Sequence, residues 1–393
     1  MAKFPNYLGV KAFGVKMGVI LPRDDIVEEV YKAVEKCYTD GLIDDGDILC
    51  VKESVVARAQ NNYVSKEEIA EEVREKLGLT ESDNLGILYP ISSRNRFVPI
   101  LEGLVKAVPN GKVTIQFSYP RDCVGNQIAP EGLDELLGMD LNKEELAYDT
   151  PELRAFGHPA TGVNYLELYG KTAKAEGCKP DIFLSNNIYQ IIDHGVDGII
   201  VSCIHESNRL LEKIKKKFKN SITLQSICND EKKHAWSEWG LLGTNMDSYK
   251  KVKLAPRESS EVAERIQSRV MKGIGKKVEV TIYGDGAYMD PSTKIYELAD
   301  PVCSFGCTNG LKTRRTGIKY KYFVGKLHSE GRQREEIETV IKNEKQKTYK
   351  IDDISMEGTT PRKMEDIVAS LADLISGSAD AGTPLVVVKD LLG

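Results

Sequence analysis

The chain has 393 residues, more than one hydrophobic core usually organises, so two domains are expected. Hydrophobic residues at 41% and charged residues at 29% exclude the disordered, collagen-like and disulfide-scaffold classes. A net charge of -5 with pI ≈ 5.8 creates no overall field for nucleic acid, so no such partner is expected. No segment reaches the ~18–20 unbroken apolar residues of a membrane-spanning helix, and the opening "MAKFPNYLGVK" lacks the apolar core of a secretion signal. A cytoplasmic location without a membrane partner follows as the expectation. The eight cysteines are scattered through a long chain rather than packed into a short one, which points to reduced thiols.

In chain order, residues 24–38 place Ile26, Val27, Val30, Val34 and Tyr38 at three- and four-residue spacing behind an Asp pair suited to a helix start. "ILCVKESVVARAQ" opens as a buried strand. "SKEEIAEEVREKLGL" (65–79) reads as a helix with a Ser cap and an acidic first turn. Strand "NLGILYPIS", helix "FVPILEGLVKAV" and strand "KVTIQFSYP" follow, and this alternation favours a mixed α/β or α+β architecture. Residues 130–180, richer in Pro, Gly and acids, read as a connector or insertion. From 181 the pattern tightens into strand "DIFLS", helix "NNIYQIIDHG" (186–195), strand "DGIIVSCI", helix "ESNRLLEKIKKKFK" and strand "SITLQSIC" (221–228), a β-α-β-α-β succession that builds a parallel sheet with ligand sites at its strand ends. There the basic run "KIKKKFKN" (213–220) is the wet face of a helix whose apolar side carries Leu210, Leu211, Ile214 and Phe218. Residues 260–283 give a helix and a strand. Near the end, "MEDIVASLADLISG" puts Met364, Ile367, Val368, Leu371, Leu374 and Ile375 on one helix face with Gly377 as a stop, before the strand "TPLVVVKDL".

Neither a Gly-x-x-x-x-Gly-Lys-Ser/Thr loop nor a Gly-x-Gly-x-x-Gly fingerprint is present, which argues against the P-loop and the standard dinucleotide folds. "CSFGC" (303–307) lacks the second ligand pair of a zinc site. The chemistry concentrates in "YGDGAYMD" (283–290). Gly284 and Gly286 let the backbone turn and approach a ligand, while Asp285 and Asp290 offer the hard oxygen ligands that Mg²⁺ takes beside phosphates. Arg94 and Arg96 in "ISSRNR", and Arg121 and Asp122 in "YPRDCVGN", sit beside strand or helix ends, where guanidinium groups can hold anions. "HPATGVNY" (158–165) and "HESN" (205–208) add polar groups.

Three segments, "DDGDILCVKESVVARAQ", "YGDGAYMDPSTKIYELADPV" and "EGTTPRKMEDIVASLADLISGSADAGTPLVVVKDLLG", resemble the coenzyme F420-0:γ-glutamyl ligase family and its bacterial relatives. In that family a strand leads into a segment ending in Gly-Arg. Here it covers residues 53–60, with Asn61 and Asn62 where Gly-Arg would stand. The family's metal-binding Asp falls on Asp285, followed by Gly286 where Thr is usual, and "HGVDGIIVS" around Asp197 lacks the Ser-Asn of a second metal motif.

The resemblance implies two domains with mixed sheets flanked by helices. The ligase-like part would take residues 1–130 and 261–393, around an inserted or second α/β domain at 131–260. It further implies GTP- and Mg²⁺- or Mn²⁺-dependent amide-bond formation between a small-molecule carboxylate and L-glutamate through an acyl phosphate, in a homodimer. Under this reading Asp285 and Asp290 hold metal, and Arg94, Arg96, Arg58, Gly284 and Gly286 hold the nucleotide. Arg121 contacts anions and Asp122 serves the incoming amine or a second metal. Two alternatives are another phosphoryl- or acyl-transfer enzyme on the same fold and a silent small-anion binder.

Overall fold

The computed structural model describes residues 7–159, 161–248, 251–284, 302–312, 314–315, 319–344, 362–376 and 382–391. Strand β1 (Lys11–Val15) leads to helix α1 (Ile26–Thr39), whose first turn is capped by the Asp25 carboxylate accepting from the Val27 and Glu28 amides. Strand β2 (Ile48–Lys52) runs directly into α2 (Glu53–Ala59), and β3 (Tyr63–Ser65) into α3 (Lys66–Leu77). The Ser expected to cap α3 does so through a full capping box, with Ser65 and Glu68 satisfying each other's backbone donors.

Next come β4 (Asn84–Leu88), α4 (Phe97–Val105), β5 (Lys112–Phe117), α5 (Leu133–Leu137), β6 (Leu146–Ala147), α6 (Pro151–Ala155), α7 (Tyr165–Ala175) and β7 (Lys179–Leu184). After these follow α8 (Gln190–Asp193), β8 (Gly198–Val201), α9 (Ser207–Lys215), β9 (Ser221–Thr223), β10 (Asn245–Ser248) and β11 (Lys251–Lys253). The last described third holds α10 (Ser259–Ile274), β12 (Glu279–Gly284), β13 (Cys303–Cys307), β14 (Arg314–Arg315), α11 (Tyr320–Ser329), α12 (Arg334–Glu344), β15 (Arg362–Lys363), α13 (Met364–Ser376) and β16 (Leu385–Lys389). Among the described residues no helix is long and apolar enough to cross a membrane.

Two sheets dominate. The five-stranded sheet has the order β1-β16-β2-β12-β13, with β2 and β12 parallel and every other pair antiparallel. Alternate residues of its central strands serve two cores, as a strand's two-residue period demands. Leu49, Val51, Val280, Ile282, Leu385 and Val387 pack on α1 and α10. Ile48, Cys50, Tyr283, Val386 and Val388 pack on α13. Burial on both faces explains why "ILCVK" and "LVVVK" read as unbroken apolar runs. On α13, Met364, Val368, Ala369 and Ala372 face the sheet, whereas Leu374 and Ile375 are exposed; Gly377 lies outside the described residues.

The six-stranded sheet has the order β6-β7-β5-β4-β8-β9 and is parallel except for β6. Helices α3, α4 and α7 cover one face, α8 and α9 the other. This is a mixed α/β protein with several mixed sheets flanked by helices. The boundary expected at residue 130 falls inside the second sheet, because β5 and β7 are hydrogen-bonded neighbours. Residues 84–223 thus form one sheet, and the Pro- and Gly-rich stretch after 130 is its irregular edge. That stretch also contains α7, held by the buried Tyr165, Leu166, Tyr169 and Ala173, which the composition concealed. The expected helix at 186–195 is one turn, α8, and the strand expected through residue 228 closes after Thr223 into a 3-10 turn. A small sheet, β10-β11-β3, joins the outgoing and returning chain between the two large sheets.

At the amino end of the six-stranded sheet, His194 lies flat on Phe183, ring centroids 4.2 Å apart, with Nδ1 2.7 Å from Asp181 and Nε2 2.8 Å from Glu145. Burial works against the imidazolium, yet the hydrogen bonds and charges of Glu145 and Asp181 outweigh it and raise the pKa above the ordinary histidine value. A raised folded-state pKa means that the stabilisation is complete below about pH 6.5 and fades as pH climbs through the folded pKa. In urea unfolding, wild type should therefore exceed His194→Gln most at pH 6, and the gap should narrow steadily towards pH 9. A gap that widens with pH would contradict the charged bridge.

Candidate functional site

Because β2 and β12 are parallel and in register, with Tyr283 opposite Lys52, both leave the five-stranded sheet at the same edge. Glu53, the first residue of α2, therefore meets Gly284, the last of β12. A Cβ on Gly284 would stand 2.8 Å from Glu53 Cγ and 2.1 Å from Phe305 Cε2. The glycine is required by this close approach, and its φ lies outside the left-handed region.

The Glu53 carboxylate accepts from Lys253 Nζ at 2.8 Å, and both side chains are buried. Lys253 ends β11, so this ion pair clamps the small sheet to the β2/β12 edge. On the other face of β2, Lys52 pairs with Asp373 of α13 at 3.4 Å, while the Tyr283 hydroxyl donates to Ser376 Oγ at 2.7 Å. Asp285, Gly286 and Asp290, the core of the expected metal site, lie outside the described residues, immediately after Gly284. Among the described residues no three His, Cys, Asp or Glu side chains converge as a metal cluster.

The remaining expected residues gather at the carboxyl edge of the six-stranded sheet. There the chain steps outward from β4 to β5 and β7, then crosses back to β8 and β9, so the switch point lies between β4 and β8. Arg94 is half-buried and Arg96 buried in the loop after β4, where the Arg96 amide donates to Ser93 Oγ at 3.0 Å. Asp122, after β5, is buried and accepts from the amides of Ser92 (2.7 Å), Val124 (3.1 Å) and Asn126 (2.8 Å) and from Asn126 Nδ2 (3.0 Å). Burial pushes its pKa up and these donors oppose the shift. With its oxygens so engaged, Asp122 ties the β4 and β5 loops together. Arg121 is exposed, donating through Nε to Glu131 at 3.1 Å and through Nη1 to the Gly125 carbonyl at 3.2 Å. Arg58, on the last turn of α2, is exposed and stands apart from this group in the sequence of elements.

Two edges thus carry the expected residues, and the segment 239–244 joins them. Trp239 meets Phe305 edge-on with centroids 5.6 Å apart, and a Cβ on Gly243 would stand 3.7 Å from the Phe305 ring. On its far side the same segment, through Leu241, Gly243 and Thr244, closes a cavity of about 20 Å³ against Arg96, Ser202 and Ile204. That volume holds at most one water, so the contact is a packed joint.

Sequence reasoning missed two residues here. Lys253 carried no signal, since its partner Glu53, at the start of α2, lies 200 residues away in the chain. His158, in the segment "HPATGVNY" that was noted for its polar groups, lies edge-on to Tyr165 and within electrostatic range of Asp122 and Arg121; burial lowers its pKa, while Asp122 pulls the other way.

Removing one partner of a buried ion pair strands the other charge, at about 3–5 kcal/mol. Lys253→Met should therefore lower stability by roughly that amount, and Glu53→Gln/Lys253→Met should regain most of it. Chemical denaturation of the two variants decides this; equal losses in both would show that Glu53 is not stranded by the single change.

No curated protein matches the sequence. The F420-0:Gamma-glutamyl ligase family model matches residues 14–390, which take in the six-stranded sheet and the five-stranded sheet from the end of β1 onward. The chain therefore belongs to the F420-0:gamma-glutamyl ligase family.

Proposed function

We propose that this protein is a GTP- and divalent-metal-dependent ligase that joins a small-molecule carboxylate to the amine of L-glutamate through an acyl phosphate. The observation that carries the reading is the shared end of β2 and β12. There a buried carboxylate, Glu53, touches the last residue before Asp285, and Lys253 fixes it in place. Hard oxygen donors at a strand end suit Mg²⁺ or Mn²⁺, and Asp285 follows Glu53's neighbour Gly284 directly in the chain, with Asp290 further along the same segment. In this reading Asp285 and Asp290 hold the ion beside Glu53, and the ion would neutralise charge on the transferred phosphoryl group.

The reaction asks for two further services. The substrate carboxylate oxygen attacks the γ-phosphorus and GDP leaves; the glutamate amine then attacks the acyl carbon, phosphate leaves and the nitrogen gives up a proton. Positive groups must hold the phosphates and the glutamate carboxylates in line, because catalysis of phosphoryl transfer is mostly positioning and electrostatics. Arg94 and Arg96 are assigned that task at the β4 loop, and Arg121 joins them by exchanging Glu131 for an anion. A half-buried histidine of lowered pKa, His158, is neutral at pH 7 and able to accept the amine proton.

Calorimetric titration of GTP into the protein with and without Mn²⁺, repeated on Asp285→Ala, tests the assignment. The expected result is metal-dependent binding that the variant loses. Metal-dependent binding that survives in Asp285→Ala would overturn the site. With the carboxylate acceptor present, phosphate release from GTP should further require L-glutamate, and glutamate-independent release would remove the ligase reading.

A further inference from the structure

Strands β5 and β8 flank β4 on opposite sides, so the loops that leave their carboxyl ends meet above it. Each loop brings a cysteine. Cys123 follows Asp122 in the β5 loop and is partly exposed; Cys203 follows Ser202 in the β8 loop and is buried. Both side chains pack in one apolar cluster around β8, Cys203 within it and Cys123 against it. The Ile204 amide also donates to Cys123 Sγ at 3.4 Å, which fixes that sulfur against the backbone beside Cys203.

Both cysteines are free thiols. Their setting differs from that of Cys178, whose S–H is spent on the carbonyls of Val105 (3.0 Å) and Val108 (3.1 Å) in the core. At the switch point the two cysteines share a cluster, Cys123 opens to solvent, and the Ile204 amide holds the Cys123 sulfur against the backbone beside Cys203. A disulfide needs its sulfurs at about 2.0 Å, and with Cys123 Sγ held on the amide of the peptide that follows Cys203, rotation of the two side chains brings the sulfurs together.

We propose that Cys123 and Cys203 form a reversible dithiol–disulfide pair, a redox modification site that takes a small oxidant of the peroxide class. The Cys203 sulfur attacks one peroxide oxygen, the O–O bond breaks, and the departing hydroxide leaves as water with the Cys203 proton. Cys203 is now a sulfenic acid, oxidised by two electrons. The Cys123 sulfur attacks the Cys203 sulfur, the S–O bond breaks, and the departing hydroxide takes the Cys123 proton as a second water. Two thiols and one peroxide become one disulfide and two waters. The new bond staples the Asp122 loop to the Ser202 loop across β4, at the edge where the Arg94 and Arg96 loop also ends. The pair stands on this geometry alone and does not depend on the ligase reading.

The test uses the full-length reduced protein treated with hydrogen peroxide, unfolded, alkylated with iodoacetamide and digested for mass spectrometry without reductant. A Cys123–Cys203 cross-linked peptide, lighter than the two free peptides by two hydrogens and released by dithiothreitol, is the expected result. In Cys123→Ser the cross-link should vanish and dimedone should trap a sulfenic acid on Cys203. Because serine at 123 keeps a small polar side chain, this variant is the informative one should Cys203→Ser fail to fold. Complete alkylation of both cysteines after peroxide, or a cross-link to a different cysteine, would overturn the proposal and leave the pair as packing.

Discussion

The Glu53–Lys253 ion pair is the constraint on which the arrangement of the site depends. Two opposite charges buried at 2.8 Å hold the start of α2 to the end of β11, and β11 pairs with β3. Through β3 the chain leaves for the six-stranded sheet, and through β11 it returns. A single charge pair therefore fixes the point where the chain passes between its two large sheets. Buried pairs of this kind add little net stability over an apolar substitute, but they penalise every arrangement that separates the charges. Here the penalised arrangement is one in which the small sheet swings away from the edge of β2 and β12.

The rest of the candidate site is built around that clamp by contacts that tolerate little change. Phe305 fills the space over Gly284, and the segment from Trp239 to Thr244 reaches from Phe305 to Arg96 and Ser202. The Glu53 carboxylate at one sheet edge and the guanidinium groups at the other are thereby linked through a packed joint, an arrangement the proposed ligase reaction would use. Asp122 works within this frame as an organiser, since four N–H donors from two loops converge on it. The Cys123–Cys203 contact lies next to those donors and spans β4 in the same way.

Much of the fold was legible in the sequence. The periodic spacing in residues 24–38 and 65–79, the Ser65 cap and the apolar runs of the sheet centres all have local causes, so local reading finds them. The parallel pairing of β2 with β12 does not, because Ile48–Lys52 and Glu279–Gly284 are far apart in the chain. The boundary at 130 went astray for a related reason: an irregular, Pro- and Gly-rich edge looks like a linker unless its neighbour β7 is known. At the site, Gly284 was found for its type, and the close approach that requires it comes from Glu53 and Phe305, tertiary neighbours that spacing does not show. Arg121 looked like an anion ligand and is engaged with Glu131. Lys253 and His158 gain their roles from tertiary neighbours, which residue spacing does not reveal.

The central claim is that the carboxyl ends of β2 and β12 hold the reacting phosphate through metal, facing the arginines of the β4 loop. Anomalous diffraction from crystals grown with Mn²⁺ and a non-hydrolysable GTP analogue tests it most directly. The account predicts one or more manganese peaks on Asp285 and Asp290 beside Glu53, with the triphosphate directed towards Arg94 and Arg96. Manganese and nucleotide bound together at any other place in the molecule would contradict it.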